Sequence, residues 1–423
     1  MALPYSFCKE KVMAYEVQEA KKLVIEAGLR LLREGLIVRT WGNISARISD
    51  DRFVITPSGK AYEGLTPDDI VVVNIKKCTY EGDIKPSSEC GIHADVYAAR
   101  PDVNFVVHTH QTYASVVSIL GQDIELTEEE KQFLGDRIPC AEYGMSSSPT
   151  LRRKVKKALK KTGDCSSMLL KNHGVLCMGK DFDNAFEISS VMEQVCKFKY
   201  ESMTDSFAKT ELIRNTETSA DDNSDIEAAL EEDINNEGYV DYGISHIEND
   251  EITLVLGDNE YKFKAGDKKP IAKGFFKRSL NKIALIHSKI YENREISNIY
   301  HVTLPNIVDI SKTYEGFDPY IDDQAQIVGE TIRCVGKAGK KPHFESPAVI
   351  SRGLKDNNAV LIAGQGAICV GSSESDTEAA AYVLEKGCMA AKLAMCADAL
   401  PIKGRIAKKE RAFYKDSYSK LKG

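Results

Sequence analysis

A chain of 423 residues is long enough for two or three domains, each able to bury a core of its own. Its 43% hydrophobic, 28% charged and 8% aromatic residues exclude wholesale disorder and a fibrous chain. Lys and Arg total 56 against 63 for Asp and Glu, and a net charge of −7 without a long basic run argues against nucleic-acid and membrane partners.

The amino-terminal stretch MALPYSFCKEKVMAYEVQEAKK carries charge from Lys9 onward and lacks the apolar core of a signal peptide. No run of about 18 apolar residues follows anywhere, so a cytoplasmic location is expected. The eleven cysteines form no CxxC pair and fall mostly in apolar segments (Cys165, Cys177, Cys334, Cys369, Cys388, Cys396), which reads as reduced core residues.

From Val12 to Glu34 apolar residues recur at helical spacing, Val17, Ala20, Leu23, Val24, Ala27 and Leu31, and Gly35 supplies a stop. Arg47–Ile48 with Phe53–Thr56, then Ile70–Ile75, Phe105–His110 and Met168–Met178, are β-rich runs bounded by Gly, Pro and Asp. Helical patterns at Ser87–Ala99, Thr150–Lys161 and Asp183–Tyr200 alternate with them. The alternation predicts an α/β domain over residues 1–205, followed by an acidic linker over 206–223 and a second domain over 224–423.

The chain repeats itself. Ile92–Asn104, IHADVYAARPDVN, matches Ile286–Asn298, IHSKIYENREISN, at an offset of 194, and Leu169–Gly179 matches Leu361–Gly371. The halves therefore serve as an alignment of two, in which a residue kept in both reads as structural.

In VVHTH, His108 and His110 stand two apart among β-branched residues, and in a strand that spacing turns both imidazoles to one face. They are either two hydrogen-bonded histidines or two ligands of one metal. His173 in KNHG can supply a third imidazole, which would leave one open position, the layout of a catalytic zinc site. Glu89 in KPSSE opens a helix whose first turn is read as carrying Ser87 and Ser88, either an ordinary Ser cap or an anion cradle of free N–H groups. Gly42-Asn43 and the ITPSG turn, Thr56–Gly59, add small-residue turns able to offer N–H groups to phosphate. Trp41 reads as a packing residue or a pocket wall, and His93, four residues after Glu89, as a helix-packing residue or a further ligand.

Taken in order, GNIS, ITPSG, LTPDDIV, KPSSE, RPDVN, VVHTH, IPCAEYG and KNHG resemble the class II aldolase and adducin family, of the L-fuculose-phosphate aldolase, L-ribulose-phosphate epimerase and adducin type. The resemblance covers residues 12 to 200. It implies a three-layer α/β/α sandwich around a mainly antiparallel sheet, present twice here, and one zinc ion per chain on His108, His110 and His173. It further implies that Glu89 completes the zinc shell and then acts as acid/base, and that Gly42, Asn43, Ser58, Gly59, Ser87 and Ser88 hold the substrate phosphate. Tyr143 would reach a neighbouring subunit's site in a homo-oligomer to handle the proton of the aldehyde-derived hydroxyl. The expected reaction is reversible cleavage of a ketose 1-phosphate into dihydroxyacetone phosphate and an aldehyde. A sugar-phosphate dehydratase or epimerase, or a non-enzymatic adducin-like protein, stands as the alternative.

An offset of 194 sends Glu89 to Ile283, His108 to Val302, His110 to Leu304 and Tyr143 to Lys337, while residues 172–174 become Gly364-Gln365-Gly366. On this reading the second half is a scaffold that has lost the site. The run Lys337, Lys340, Lys341 and His343 reads as a solvated basic loop or as a site for a different small ligand.

Overall fold

The structure of the protein, a computed structural model, describes residues 14–37, 41–215, 241–268, 270–271, 277–313, 315–336 and 345–418. The chain divides into two compact units, with the division between Ser202 and Met203. Among the described residues no helix is long and apolar enough to cross a membrane.

The first unit begins with α1 (Val17–Arg33), whose buried stripe Ala20, Val24, Ala27 and Leu31 has the expected spacing, and Gly35 past its end takes a positive φ of 67°. Strands β1 (Gly42–Arg47), β2 (Arg52–Ile55) and β3 (Val71–Asn74) form a meander. Then come α2 (Cys90–Ala99), β4 (Phe105–Thr109), α3 (Thr112–Val117), β5 (Ile124–Glu125), α4 (Glu128–Leu134), β6 (Arg137–Ile138) and β7 (Cys140–Ala141). Helix α5 (Pro149–Leu159), β8 (Ser167–Leu170), β9 (Gly174–Gly179) and the part of the long α6 (Phe182–Asn215) up to Ser202 complete the unit's elements. Helix α6 runs into the segment expected as the acidic linker, whose remainder lies outside the described residues.

The sheet order is β3-β2-β1-β4-β9-β8-β7, antiparallel throughout except for the parallel β7–β8 pair. On one face Val106, Met168, Leu170, Leu176 and Met178 pack against α2 and α5 through Ile92, Val96, Leu151 and Val155. On the other face Phe105 meets Phe182 of α6 edge-on, with ring centroids 5.5 Å apart. Strand alternation therefore carries His108, two residues from Val106, to the α2 side.

The second unit repeats the plan with β10 (Ile244–Glu248), β11 (Glu251–Leu256), β12 (Asn259–Lys264), α7 (Lys277–Ile290), β13 (Asn298–Val302) and α8 (Pro305–Ser311). It continues with β14 (Cys334–Val335), α9 (Pro347–Leu354), β15 (Ala359–Ile362), β16 (Ala367–Gly371), α10 (Glu374–Ala397) and α11 (Gly404–Tyr418). Its sheet order, β12-β11-β10-β13-β16-β15-β14, matches the first position by position, including one parallel pair at the end. The fold is thus an α/β architecture built on two large, mainly antiparallel sheets.

Strand register corrects the correspondence between halves. Phe105 pairs with Gly179 and Asn298 with Gly371, so β4 and β13 are offset by 193, not 194. The position of His108 is taken by His301 rather than Val302, and that of His110 by Thr303 rather than Leu304. An ungapped comparison misses this because the turn between helix and strand is one residue shorter in the second half. Residues 337–344 lie outside the described residues, so the expected Lys337, Lys340, Lys341 and His343 are not placed.

Candidate metal centre

Strand β4 delivers His108 near its end and His110 just beyond it, and the β8–β9 turn delivers His173. That turn depends on Asn172 at φ 60°. It also needs Gly174 without a side chain, because a Cβ there would collide with the Thr109 carbonyl. The three rings converge with centroids 4.6 to 5.1 Å apart, and those of His108 and His173 stack at 9°. One ring nitrogen from each lies within 4.8 Å of the others, and no other such cluster occurs among the described residues.

Tautomers follow from the partners. His108 Nδ1 is 2.8 Å from the Val175 carbonyl oxygen, which only accepts, so Nδ1 carries the proton and Nε2 presents its lone pair. Ser146 Oγ holds His173 Nδ1 at 3.0 Å, leaving Nε2 of that ring facing His108 Nε2 at 3.1 Å. Two nitrogens each about 2.1 Å from one tetrahedral ion stand about 3.4 Å apart, so this donor set fits a single divalent cation.

Glu89 is the N-cap residue of α2, yet its side chain makes no cap bond. It turns inward instead. Its Oε2 lies 3.2 Å from His108 Nε2 and its Oε1 3.5 Å from His173 Nε2. Asn43 Nδ2 and the Ser147 backbone N–H each donate to the carboxylate at 3.2 Å. Burial alone would raise this carboxyl, but positive charge on His173, His108 and His110, which the rings carry only when protonated and which a bound cation would replace, outweighs it and holds Glu89 well below the usual carboxylate range. An anion is therefore kept within a shell of imidazoles, as a metal site with a carboxylate partner requires.

The proposed phosphate residues lie on adjoining segments beside this cluster. Ser58 N–H donates to the Lys85 carbonyl and Ser87 N–H to the Thr56 carbonyl, both at 3.0 Å, which ties the 56–59 turn to the 85–88 loop. Asn43 joins through Glu89, and Gly42 pairs with Thr109 at the end of β4. A side chain at Gly42 would meet the His108 carbonyl oxygen at 2.7 Å, with φ at 138°. Ser87 and Ser88 precede the helix rather than occupying its first turn, because α2 starts only at Cys90. Tyr143 follows β7 and is half-buried, three residues before Ser146.

Ser146 and Ser147 emerge only from the folded chain. They sit in the loop leading into α5, with Ser147 at φ 56° and its hydroxyl 2.7 Å from that of Ser88. Their sole sequence signal is the small-residue run GMSSSP.

The profile described as Class II Aldolase and Adducin N-terminal domain matches residues 22–200 and again 261–391. The chain belongs to this family. Among solved structures, an L-fuculose 1-phosphate aldolase is 30% identical over 46% of this chain and 89% of its own, with a TM-score of 0.41. The L-fuculose-1-phosphate aldolase of Thermus thermophilus is 25% identical over 42% and 92%, TM-score 0.36. The putative aldolase/epimerase/decarboxylase YgbL of Klebsiella pneumoniae is 24% identical over 44% and 89%, TM-score 0.40.

The second aldolase-family unit is built differently at the matching place. Ile283 stands for Glu89, Thr303 for His110 and Gln365 for His173, while Gly243 stands for Asn43. Tyr242 occupies the position of Gly42, where it is fully buried, its ring 5.2 Å from that of His301. Its hydroxyl takes the Glu345 N–H at 3.2 Å. His301 is saturated within the chain: its Nδ1 accepts from the Tyr242 backbone N–H at 3.3 Å and its Nε2 donates to the Gln365 carbonyl at 2.8 Å.

Proposed function

We propose that the first unit is a zinc-dependent aldolase that reversibly cleaves a ketose 1-phosphate, of the fuculose-phosphate type, into dihydroxyacetone phosphate and an aldehyde. The observation that carries this reading is the approach of the Glu89 carboxylate to His108 and His173 beside His110. His108, His110 and His173 would hold the Zn²⁺, which when bound would supply Lewis-acid stabilisation of the negative charge that develops on the substrate.

The chain's own residues do the rest. Gly42, Asn43, Ser58, Gly59, Ser87 and Ser88 hold the phosphate and so fix the carbonyl end of the substrate, Ser58 and Ser87 through their hydroxyls because their N–H groups are bonded to the Lys85 and Thr56 carbonyls. In the condensation direction the ionised Glu89 carboxylate takes a proton from the carbon next to the carbonyl, and in cleavage it returns that proton. Tyr143, contributed by a neighbouring subunit of a homo-oligomer, takes the proton of the hydroxyl that becomes the aldehyde. The second unit, with Tyr242 in place of Gly42 and Ile283 in place of Glu89, acts as a scaffold without this chemistry.

Incubation of the purified chain with a panel of ketose 1-phosphates tests the reading. Dihydroxyacetone phosphate should form with at least one of them and should cease after removal of bound metal. Release of water without carbon–carbon cleavage would replace the aldolase with a dehydratase, and a stereoisomer as sole product would replace it with an epimerase.

A further inference from the structure

Each unit buries the same Ser–His–Tyr group. Ser45 Oγ lies 2.6 Å from His93 Nδ1 and 2.8 Å from Tyr97 Oη. Ser245 Oγ lies 2.6 Å from His287 Nδ1 and 2.7 Å from Tyr291 Oη. The far side of the ring differs. In the second unit His287 Nε2 meets the Tyr242 backbone carbonyl at 2.7 Å; in the first, His93 Nε2 meets Asn43 Oδ1 at 2.5 Å.

The second unit fixes the polarity of both. A carbonyl oxygen only accepts, so His287 carries its proton on Nε2 and accepts at Nδ1 from Ser245, whose own oxygen accepts from Tyr291. The same order in the first unit makes His93 Nε2 a donor to Asn43 Oδ1. Burial holds the His93 ring neutral, pushing it down to about 3, so one proton alone is available and its place decides the chain of bonds. Glu89 requires the same polarity from the other end, since a carboxylate needs the Asn43 amide nitrogen facing it.

We infer that His93 is a positioning residue: through Nε2 it locks the Asn43 amide with both N–H groups toward the site, one on Glu89 and one on the anionic end of the substrate. A reversed amide would set its oxygen against the carboxylate and against the phosphate. The buried triad common to both units is thus put to use only in the first, where Asn43 stands in place of Gly243. This inference rests on the proposed function for its kinetic consequence but not for its structural one.

Two substitutions separate the ring nitrogens. His93→Gln puts an amide N–H near the place of Nε2, whereas His93→Asn reaches only the place of Nδ1. His287→Asn is the control, because it makes the same cut in a unit without Asn43. Expected are kcat values for His93→Gln and His287→Asn within about threefold of wild type, and a fall of about 10- to 100-fold for His93→Asn. In metal-free protein, the Asn43 side-chain amide protons should give a separate, exchange-protected NMR pair in wild type, His93→Gln and His287→Asn, and lose it in His93→Asn. Equal losses in His93→Gln and His93→Asn, or a protected Asn43 pair in His93→Asn, would overturn the inference. If the wild-type chain cleaves no ketose phosphate, the proposed function fails, and the amide spectrum still decides the orientation of Asn43.

Discussion

The two units share a frame and differ in what it surrounds. Both keep the Ser–His–Tyr triad, and both keep a glutamate that receives the first N–H groups of the short helix after the central strand, Glu193 on Tyr113 and Ala114, Glu385 on Asn306 and Ile307. Both hold the hairpin turn in a left-handed residue, Asn172 or Gly364. What changes is the convergence of polar groups. Where the first unit leaves Gly42 bare and points Glu89 at three imidazoles, the second fills the space with Tyr242 and satisfies His301 inside the chain. On the proposed reading, the second unit lacks the site by occupation as well as by deletion: the Tyr242 ring lies against His301, which is bonded within the chain. The frame can be kept because its hydrogen bonds never depended on a ligand.

The comparison breaks most easily at the metal. His110→Ala and His173→Ala should abolish activity and bound zinc together, because each removes one of three imidazole donors, whereas His301→Ala should leave one zinc per chain. Elemental analysis decides this, and two metals per wild-type chain would end the assignment of a silent second unit. Next in size is Glu89→Gln, expected to keep zinc on the three histidines yet lose about 10²- to 10⁴-fold in kcat, the usual worth of a general acid/base. An unchanged kcat with zinc bound would take the proton transfer away from Glu89. Tyr143→Phe should cost about 10²-fold in cleavage rate at full zinc content; unchanged kinetics would remove it from the catalytic residues.

Two smaller effects sharpen the account of the second unit. Tyr242→Ala empties a fully buried aromatic position and should destabilise the protein by about 3–5 kcal/mol in denaturant melts, with kcat unchanged. A shift in kcat instead would mean that the second unit takes part in turnover. His287, buried and neutral, is pushed down to about 4 from an ordinary 6.5, so its contribution is intact above pH 6.5. Below 6.5 the unfolded chain takes up a proton that the folded chain refuses. The His287 share of stability should then fall by roughly 1.4 kcal/mol per pH unit until pH nears 4 and level off below it, while His93, pushed down to about 3, adds a decline of its own that continues to lower pH. Replacing His287 with Asn should flatten that slope in melts recorded across this range.

Much of the site was legible because it is written in residue types at short spacing. VVHTH needs only strand alternation to pair His108 with Val106 on one face, and KPSSE and KNHG supply a carboxylate and an imidazole at segment ends, where chains turn back on one another. The duplication, the α/β alternation and the stop at Gly35 are likewise local properties of the sequence. The rest required the folded chain, since it is set by register and contact between distant segments. A one-residue difference in a turn moves the His108 counterpart from Val302 to His301, and only the β13–β16 pairing reveals it. Ser146 and Ser147 carry no motif and gain their roles because α5 begins beside α2. His93 and His287 are the same residue type on the same helix face, and what separates them is the atom that strand register sets against Nε2: an asparagine side chain in one unit, a tyrosine backbone carbonyl in the other.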